Sequence, residues 1–217
     1  MKWSMMNSIL IRMRMTMQNK FSRRQALVGS AAFLILAGMA APVLALSKSE
    51  AKSLIKKVVK DINKVLTSDQ SATQRTDSFE QIFKTYADVP TIARYGLGVE
   101  GRSASKAQMK AFTTSFRGYI ARKYGKQFKD VFTGEIEVQG TRKVKSFYEV
   151  KAAVRMAGKA PIEIAFLVSG RSGRALFFNI FVEGVNMLLT ERAEIGAMLD
   201  KRGGNLDKMI KDLGSTS

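Results

Sequence analysis

The chain has 217 residues, with 36 Lys and Arg against 18 Asp and Glu, a net charge of +18, and neither Cys nor His. This excludes a disulfide framework, a thiol nucleophile, a Cys/His metal cluster and any imidazole-based acid–base pair. The positive balance favours an anionic partner such as a lipid headgroup, a membrane surface, an acidic protein or nucleic acid.

Part of that charge lies in a segment with the marks of an address. Residues 1–45 carry six of the basic residues and no acid, so the remainder has a net charge of +12. Arg23-Arg24 stand just before an uncharged run from Ala26 to Leu46. Val43-Leu44-Ala45 offers the small or short residues that signal peptidase accepts. Paired arginines ahead of a moderately apolar stretch resemble a twin-arginine export signal. Gly29, Ser30, Gly38 and Pro42 make the run a poor permanent span. The expectation is an export signal over 1–45, carrying Arg23 and Arg24 and cleaved near Ala45, with a periplasmic domain over 46–217. Six Met residues within 1–20 also fit a true start at Met13, Met15 or Met17.

From Ser49 to Leu66 the apolar residues Leu54, Ile55, Val58, Val59, Ile62, Val65 and Leu66 recur at helical spacing, with lysines opposite. Ser47 or Ser49 caps this helix. Thr67–Gln74 is polar and reads as a loop. A second helix is expected from Asp77, with Phe79, Ile82, Phe83 and Tyr86 on one stripe, and Asp88-Val89-Pro90 breaks it. A short helix over Thr91–Tyr95 ends at Gly96-Leu97-Gly98. After the polar stretch Val99–Lys106, Ser105 caps a long helix whose face carries Met109, Phe112, Phe116, Tyr119, Ile120 and Tyr124.

From Phe128 the period changes to two. Phe132, Ile136 and Val138 precede a turn at Gly140-Thr141. Tyr148, Val150, Ala152, Val154 and Met156 lead to a turn at Gly158-Lys159. Ile162, Ile164, Phe166 and Val168 run to a turn over Gly170–Gly173. Short glycine turns between such runs predict an antiparallel meander. The last strand, Leu176–Val182, scarcely alternates, so it is buried on both faces or lies against something apolar. Gly184 turns the chain into a helical pattern of Met187, Leu188, Glu191, Ile195, Met198 and Leu199, followed after Gly203-Gly204 by Leu206, Met209, Ile210 and Leu213. The fold class is therefore α+β: 46–127 mainly helical, 128–183 a curved antiparallel sheet of about four strands, and 184–213 closing helices, with helices packed on one face of the sheet.

Little in this pattern suits catalysis. Glu135 and Glu137 share a strand face, where they are expected to meet Lys143, Lys145 and Lys151 in a cross-strand ladder. Gly98-Val99-Glu100-Gly101-Arg102 lacks the Lys-Ser/Thr of a phosphate loop, and Ser146, Ser169 and Ser172 have no base to activate them. Lys56, Lys57, Lys60 and Lys64 line one helix, but the aromatic residues lie on apolar stripes, not among the lysines as a nucleic-acid platform requires.

Two stretches carry a resemblance. Tyr86-Ala87-Asp88-Val89-Pro90-Thr91-Ile92-Ala93-Arg94-Tyr95-Gly96-Leu97-Gly98, followed by Ala104 to Gln108 and Phe112, is similar to a pattern of the MlaC, or toluene-tolerance, family. Phe178-Asn179-Ile180-Phe181-Val182-Glu183-Gly184-Val185-Asn186, then Arg192 and Gly203-Gly204-Asn205-Leu206, resembles that family's ending. Gly101 and Ala175-Leu176 replace Trp-containing positions, and Asn179 replaces an Asp, which resembles a divergent branch such as the hopanoid-associated relatives. The resemblance implies a nuclear-transport-factor-2-like sheet with a helical subdomain enclosing an apolar cavity. It implies a non-enzymatic, monomeric periplasmic carrier of phospholipid, without cofactor or metal. Such a carrier helps maintain outer-membrane lipid asymmetry, moving lipid between an outer-membrane lipoprotein complex and an inner-membrane ABC transporter with its substrate-binding ring.

The aromatic helix faces, the apolar fourth strand and that resemblance nominate the lipid-lining residues Phe83, Tyr86, Phe112, Phe116, Tyr119, Tyr148, Val150, Phe166, Phe178, Ile180, Val182, Val185, Met187 and Met198. On the fourth strand, Phe178, Ile180 and Val182 are assigned to the acyl chains and Phe177 and Phe181 to a packed neighbour. Three other readings stay open. One is a carrier of hopanoid or another apolar lipid. Another is a small enzyme on the same kind of sheet, for which Tyr148 is the inward-facing candidate. The third is an anchored interaction protein with a filled core and no ligand.

Overall fold

The computed structural model describes residues 46–131, 134–155, 158 and 160–215, with side chains described except over 126–131. The expected export signal, including Arg23, Arg24 and Ala45, lies outside those residues, as do Phe132 and Met156. The elements are helices α1 (Lys48–Leu66), α2 (Ala72–Tyr86), α3 (Val89–Leu97), α4 (Glu100–Ser103) and α5 (Lys106–Val131), strands β1 (Glu135–Val144), β2 (Phe147–Arg155), β3 (Ile162–Ser169), β4 (Leu176–Val182) and β5 (Val185–Asn186), and helices α6 (Met187–Asp200) and α7 (Leu206–Ser215).

Three helices start on the same chemical device. Ser47 and Glu50 form a capping box at α1: the Glu50 N–H donates to Ser47 Oγ over 3.2 Å, and the Ser47 N–H donates to Glu50 Oε2 over 2.7 Å. Ser105 and Gln108 repeat it at α5 with bonds of 3.0 and 3.1 Å. Ser71 and Gln74 repeat it at α2. The box moves the start of α2 to Ala72, so Gln74 and Asp77 belong to the helix and the preceding loop is shorter than the polar run Thr67–Gln74 implies. Pro90 sits in the first turn of α3, where the missing N–H costs nothing, and α3 runs through to Leu97 before Gly98 leaves it at φ 70°. Part of the polar stretch before α5 is itself the short helix α4.

Asp88 deserves its buried position. It is 8 % exposed, caps α3 by accepting from the Thr91 N–H over 3.2 Å, and accepts from the Ser172 hydroxyl, while its own N–H donates to the Phe177 carbonyl over 2.8 Å. It thus ties α3 to β4 and to the loop before it. Asp88→Ala is expected to lower stability by about 1–2 kcal/mol through the lost cap and the unpartnered groups left behind. The urea midpoint reads this directly, and an unchanged midpoint would show the cap to be dispensable.

The sheet has five antiparallel strands in the order β1-β2-β3-β4-β5, so each strand pairs with its sequence neighbour. One turn differs from expectation. β1 continues through Gly140-Thr141, where the register shifts in a bulge between Val138 and Thr141. The β1–β2 turn lies instead at Lys145-Ser146, with Lys145 in the left-handed region at φ 52°. A turn without Gly left no compositional mark. The β4–β5 turn has Glu183 at φ 49° and Gly184 at φ 77°, the positive pair that suits the twist of a two-residue hairpin.

These shifts also redraw the charge ladder on the outer face. Glu137 pairs with Arg155 at 2.6 Å, Arg142 with Glu149 at 2.6 Å and Lys151 with Glu163 at 2.5 Å, in place of the expected Glu–Lys set. Such exposed pairs each contribute only about 0–1 kcal/mol. The inner face carries Ile136, Val150, Ala152, Val154, Ile164, Phe166 and Val168, all buried. α1 lays Ile55, Val58, Val59 and Ile62 on that face, against β1 to β3. α2, α3 and α7 pack on α5, and α6 packs on α3 and β4. Gly125 permits close approach of α2 to α5, since a Cβ there would stand 3.3 Å from the Phe79 ring.

Candidate functional site

Between the helical layer and the inner face of the sheet the side chains leave a cavity of about 330 Å³, within the range of small-molecule pockets. Its walls come from eight elements, with no residue of β2 or α7 among them. Val58 and Ile62 of α1, Phe79, Ile82 and Phe83 of α2, and Ile92 of α3 form one side. Phe116, Ile120, Ala121 and Tyr124 of α5 form another. Ile136, Ile164, Phe166, Phe177, Phe178, Ile180 and Val182 supply the sheet, and Met187, Leu188 and Glu191 of α6 close it. Hydrocarbon lining of this extent gives a bound apolar chain the full hydrophobic gain and offers water few partners.

Seven of the nominated residues line this cavity: Phe83, Phe116, Phe166, Phe178, Ile180, Val182 and Met187. Seven do not. Tyr86 is tied outward, its hydroxyl donating to Asp61 Oδ2 over 2.6 Å. Phe112 and Val150 are fully buried in the packed core. Tyr119 is held by Glu194 over 2.8 Å. Tyr148 and Met198 pack partly buried against the core, and Val185 is 55 % exposed on β5. The spacing located apolar faces, but these faces extend beyond the void.

On β4 the register explains a further difference. Leu167 pairs with Asn179 and Val168 with Phe177, which leaves Phe178 as the extra residue of a bulge. Strict alternation places Phe177 and Phe178 on opposite faces. The bulge brings both to the cavity, where Phe177 stands 5.8 Å from Phe166 at 74° and 6.3 Å from Phe83. Phe177 is therefore a wall residue rather than a contact to a packed neighbour.

Among the lining residues only Asn179, Tyr124 and Glu191 bring polar side-chain groups. Asn179, 8 % exposed, accepts from the Ile180 and Leu188 N–H groups and donates to Asn186 Oδ1 over 3.0 Å, fixing the β4–α6 junction. Tyr124 donates to Glu191 Oε1, which also receives Lys123 Nζ at 2.7 Å, and Lys123 reaches Glu194 Oε2 at 2.7 Å. Burial, then the bonds to Glu194 and Glu191, holds the Tyr119 and Tyr124 phenols far above their usual range. Burial pulls the Lys123 ammonium down, but its bonds to Glu191 and Glu194 outweigh that and hold it above its ordinary value. Burial raises Glu194, yet Lys123 and Tyr119 hold it below the usual carboxylate range. A general base works best with a pKa near the operating pH, and these four groups are moved away from it.

Sequence reasoning missed much of the wall. Val58, Ile62, Phe79, Ile82 and Ile164 were legible as core but not as lining, and Ile92 stood only within the short helix after Pro90. Glu191 carried a signal, since it is the one charged residue on the apolar stripe of α6.

The model of the family described as MlaC protein matches residues 52–215. The chain belongs to the MlaC family. Its matched span includes every element named above apart from the first turn of α1. The chain is also similar to the solved structure of a phospholipid-binding protein from Ralstonia solanacearum in complex with a phospholipid. That similarity has a TM-score of 0.63 and 18 % identity, and covers 76 % of this chain and 98 % of that one. The likeness shows the same α+β fold. No curated protein sequence matches the chain.

Proposed function

We propose that this protein is a non-enzymatic carrier that holds a phospholipid by its acyl chains in the cavity between the helices and the sheet. The observation that carries the reading is the hydrocarbon-walled void itself, built from eight elements and bordered by few polar groups. Each buried methylene contributes about 0.8 kcal/mol, so a lipid chain binds firmly without any contact to its headgroup. Membership of the MlaC family and the phospholipid held by the Ralstonia protein support the same ligand class.

The carrier works in the periplasm as a monomer, receiving lipid from or delivering it to an inner-membrane ABC transporter and an outer-membrane lipoprotein complex. Native mass spectrometry of the purified protein, followed by solvent extraction, is expected to show one co-purified lipid. Repeated preparations of a stable, lipid-free protein would overturn the reading. The address has its own test. Replacing both Arg23 and Arg24 by Lys is expected to leave the protein in the cytoplasm, as read by fractionation and the size of the processed product. Undiminished export would assign it to the general secretory route.

A further inference from the structure

Glu191 stands out in the cavity wall. It is 4 % exposed, and only one of its two carboxylate oxygens is used. Oε1 takes both the Tyr124 hydroxyl and Lys123 Nζ, whereas Oε2 is buried with no hydrogen-bond partner. A buried acceptor left without a donor has lost its hydration with nothing in exchange, and a charged one more so, so such groups are rare unless something else fills them. Glu191 has no packing reason to be where it is. On the stripe Met187, Leu188, Glu191, Ile195 and Leu199 an apolar side chain would fill the same wall.

The charge around it is lopsided in the same direction. Glu191 and Glu194 share the single ammonium of Lys123, and the phenols of Tyr119 and Tyr124 point their hydroxyls at these two carboxylates. Both phenols and the Lys123 ammonium reach Oε1 of Glu191 or Oε2 of Glu194, and none of them reaches Oε2 of Glu191. The carboxylate oxygen left over is an acceptor, and the two carboxylates outnumber the one ammonium. That corner of the cavity repels a phosphate or a free carboxylate and attracts a group bearing O–H or N–H.

Resting on the carrier reading above, we propose that Glu191, part of the cavity wall, is a specificity-determining residue: a turn of its carboxylate brings the unpartnered Oε2 to the cavity, where it accepts a hydrogen bond from a hydroxyl or primary ammonium on the bound lipid. The donor is the common chemistry. It has two sources: the headgroup of a phospholipid, or a single hydroxyl on an otherwise apolar lipid. In either case the lipid's anionic group lies away from Glu191, and the carboxylate selects among lipids whose apolar parts fit equally well.

The test compares probes that differ only in the donor. Binding to the delipidated protein, expressed from its full chain and purified, is measured for 1-hexadecanol against hexadecyl methyl ether. It is measured again for vesicles of dipalmitoyl phosphatidylethanolamine against dipalmitoyl phosphatidylcholine, whose trimethylated ammonium has no N–H. The expected result is a preference for the donor-bearing member of about tenfold or more, the usual size for a hydrogen bond to a charged group. Preference within the phospholipid pair assigns the donor to a headgroup, and preference confined to the hexadecyl pair assigns it to a monohydroxy lipid. In Glu191→Met the preference is expected to vanish because both members bind alike. Equal binding within both pairs to the unmodified protein overturns the inference, with Oε2 then satisfied by water, and leaves the carrier reading intact. If neither pair binds and no lipid co-purifies, the carrier reading fails and this one with it. The comparison on the unmodified protein decides the matter even if Glu191→Met does not fold.

Discussion

Val182→Asp is expected to empty the cavity while leaving the chain folded. Val182 is half-buried at the end of β4, pairs with Ile164 and Val185, and lines the void. A carboxylate facing hydrocarbon walls must lose its hydration without gaining a partner, a penalty of several kcal/mol per ion even after relaxation. That penalty falls on the lipid-bound state, where the acyl chain excludes water. In the empty protein the same carboxylate stays hydrated through the open cavity. The lipid signal in native mass spectra should therefore fall to near zero, while circular dichroism shows an ordinary cooperative melt. A folded variant that keeps its full lipid complement would remove the end of β4 from the binding surface.

Phe112→Ala should do the reverse. Phe112 has no exposed surface, stands 5.6 Å from the Phe116 ring, and does not line the cavity. Truncating a ring in such a place removes its transfer energy and leaves a void, together about 3–5 kcal/mol. For a domain of marginal stability that is a large fraction of the total. The urea midpoint should drop accordingly, and the folded fraction should still carry lipid. A loss below about 1 kcal/mol would contradict close packing around α5. Together the two variants separate holding the fold from holding the ligand, which neighbouring aromatic residues on one helix otherwise confuse.

The helical and strand periods were plain in the residues, because each element buries one face. Ile55, Val58 and Ile62 recur at helical spacing, and Val150, Ala152 and Val154 at a spacing of two, and the structure buries all six. Ser105 was legible as a cap for the same local reason: serine followed three residues later by glutamine satisfies free N–H groups at a helix start. Ser71 and Gln74 obey the same rule but lie in a run of polar residues that looks like loop. What local reading missed depends on distant partners. Gly140 suggests a turn, yet it belongs to a bulge, because the hairpin closes at Lys145 where the register with β2 demands it. The cavity was the hardest part. Apolar spacing identifies which side of an element faces inward, whereas a void arises where α1, α2, α5 and α6 together fail to fill the space above the sheet. Tyr86 and Tyr119 share the stripes of Phe83 and Phe116 but end in hydrogen bonds to Asp61 and Glu194 instead.

The arrangement around Phe177 bears on aggregation. Leu176-Phe177-Phe178-Asn179-Ile180-Phe181-Val182 has no charge, no proline and high strand propensity, the signature of a segment that stacks with copies of itself. Its side away from β3 would be the natural template for such stacking. Instead the Asp88 N–H takes the Phe177 carbonyl, Ala87 bridges to Phe177, and the two residues of β5 pair with Phe181 and Val182. Asp88, Pro90 and Glu183 border these contacts and act as gatekeepers. The greasiest strand in the described chain therefore presents little free edge to a second molecule, and loosening the Asp88 tie would endanger solubility as well as stability.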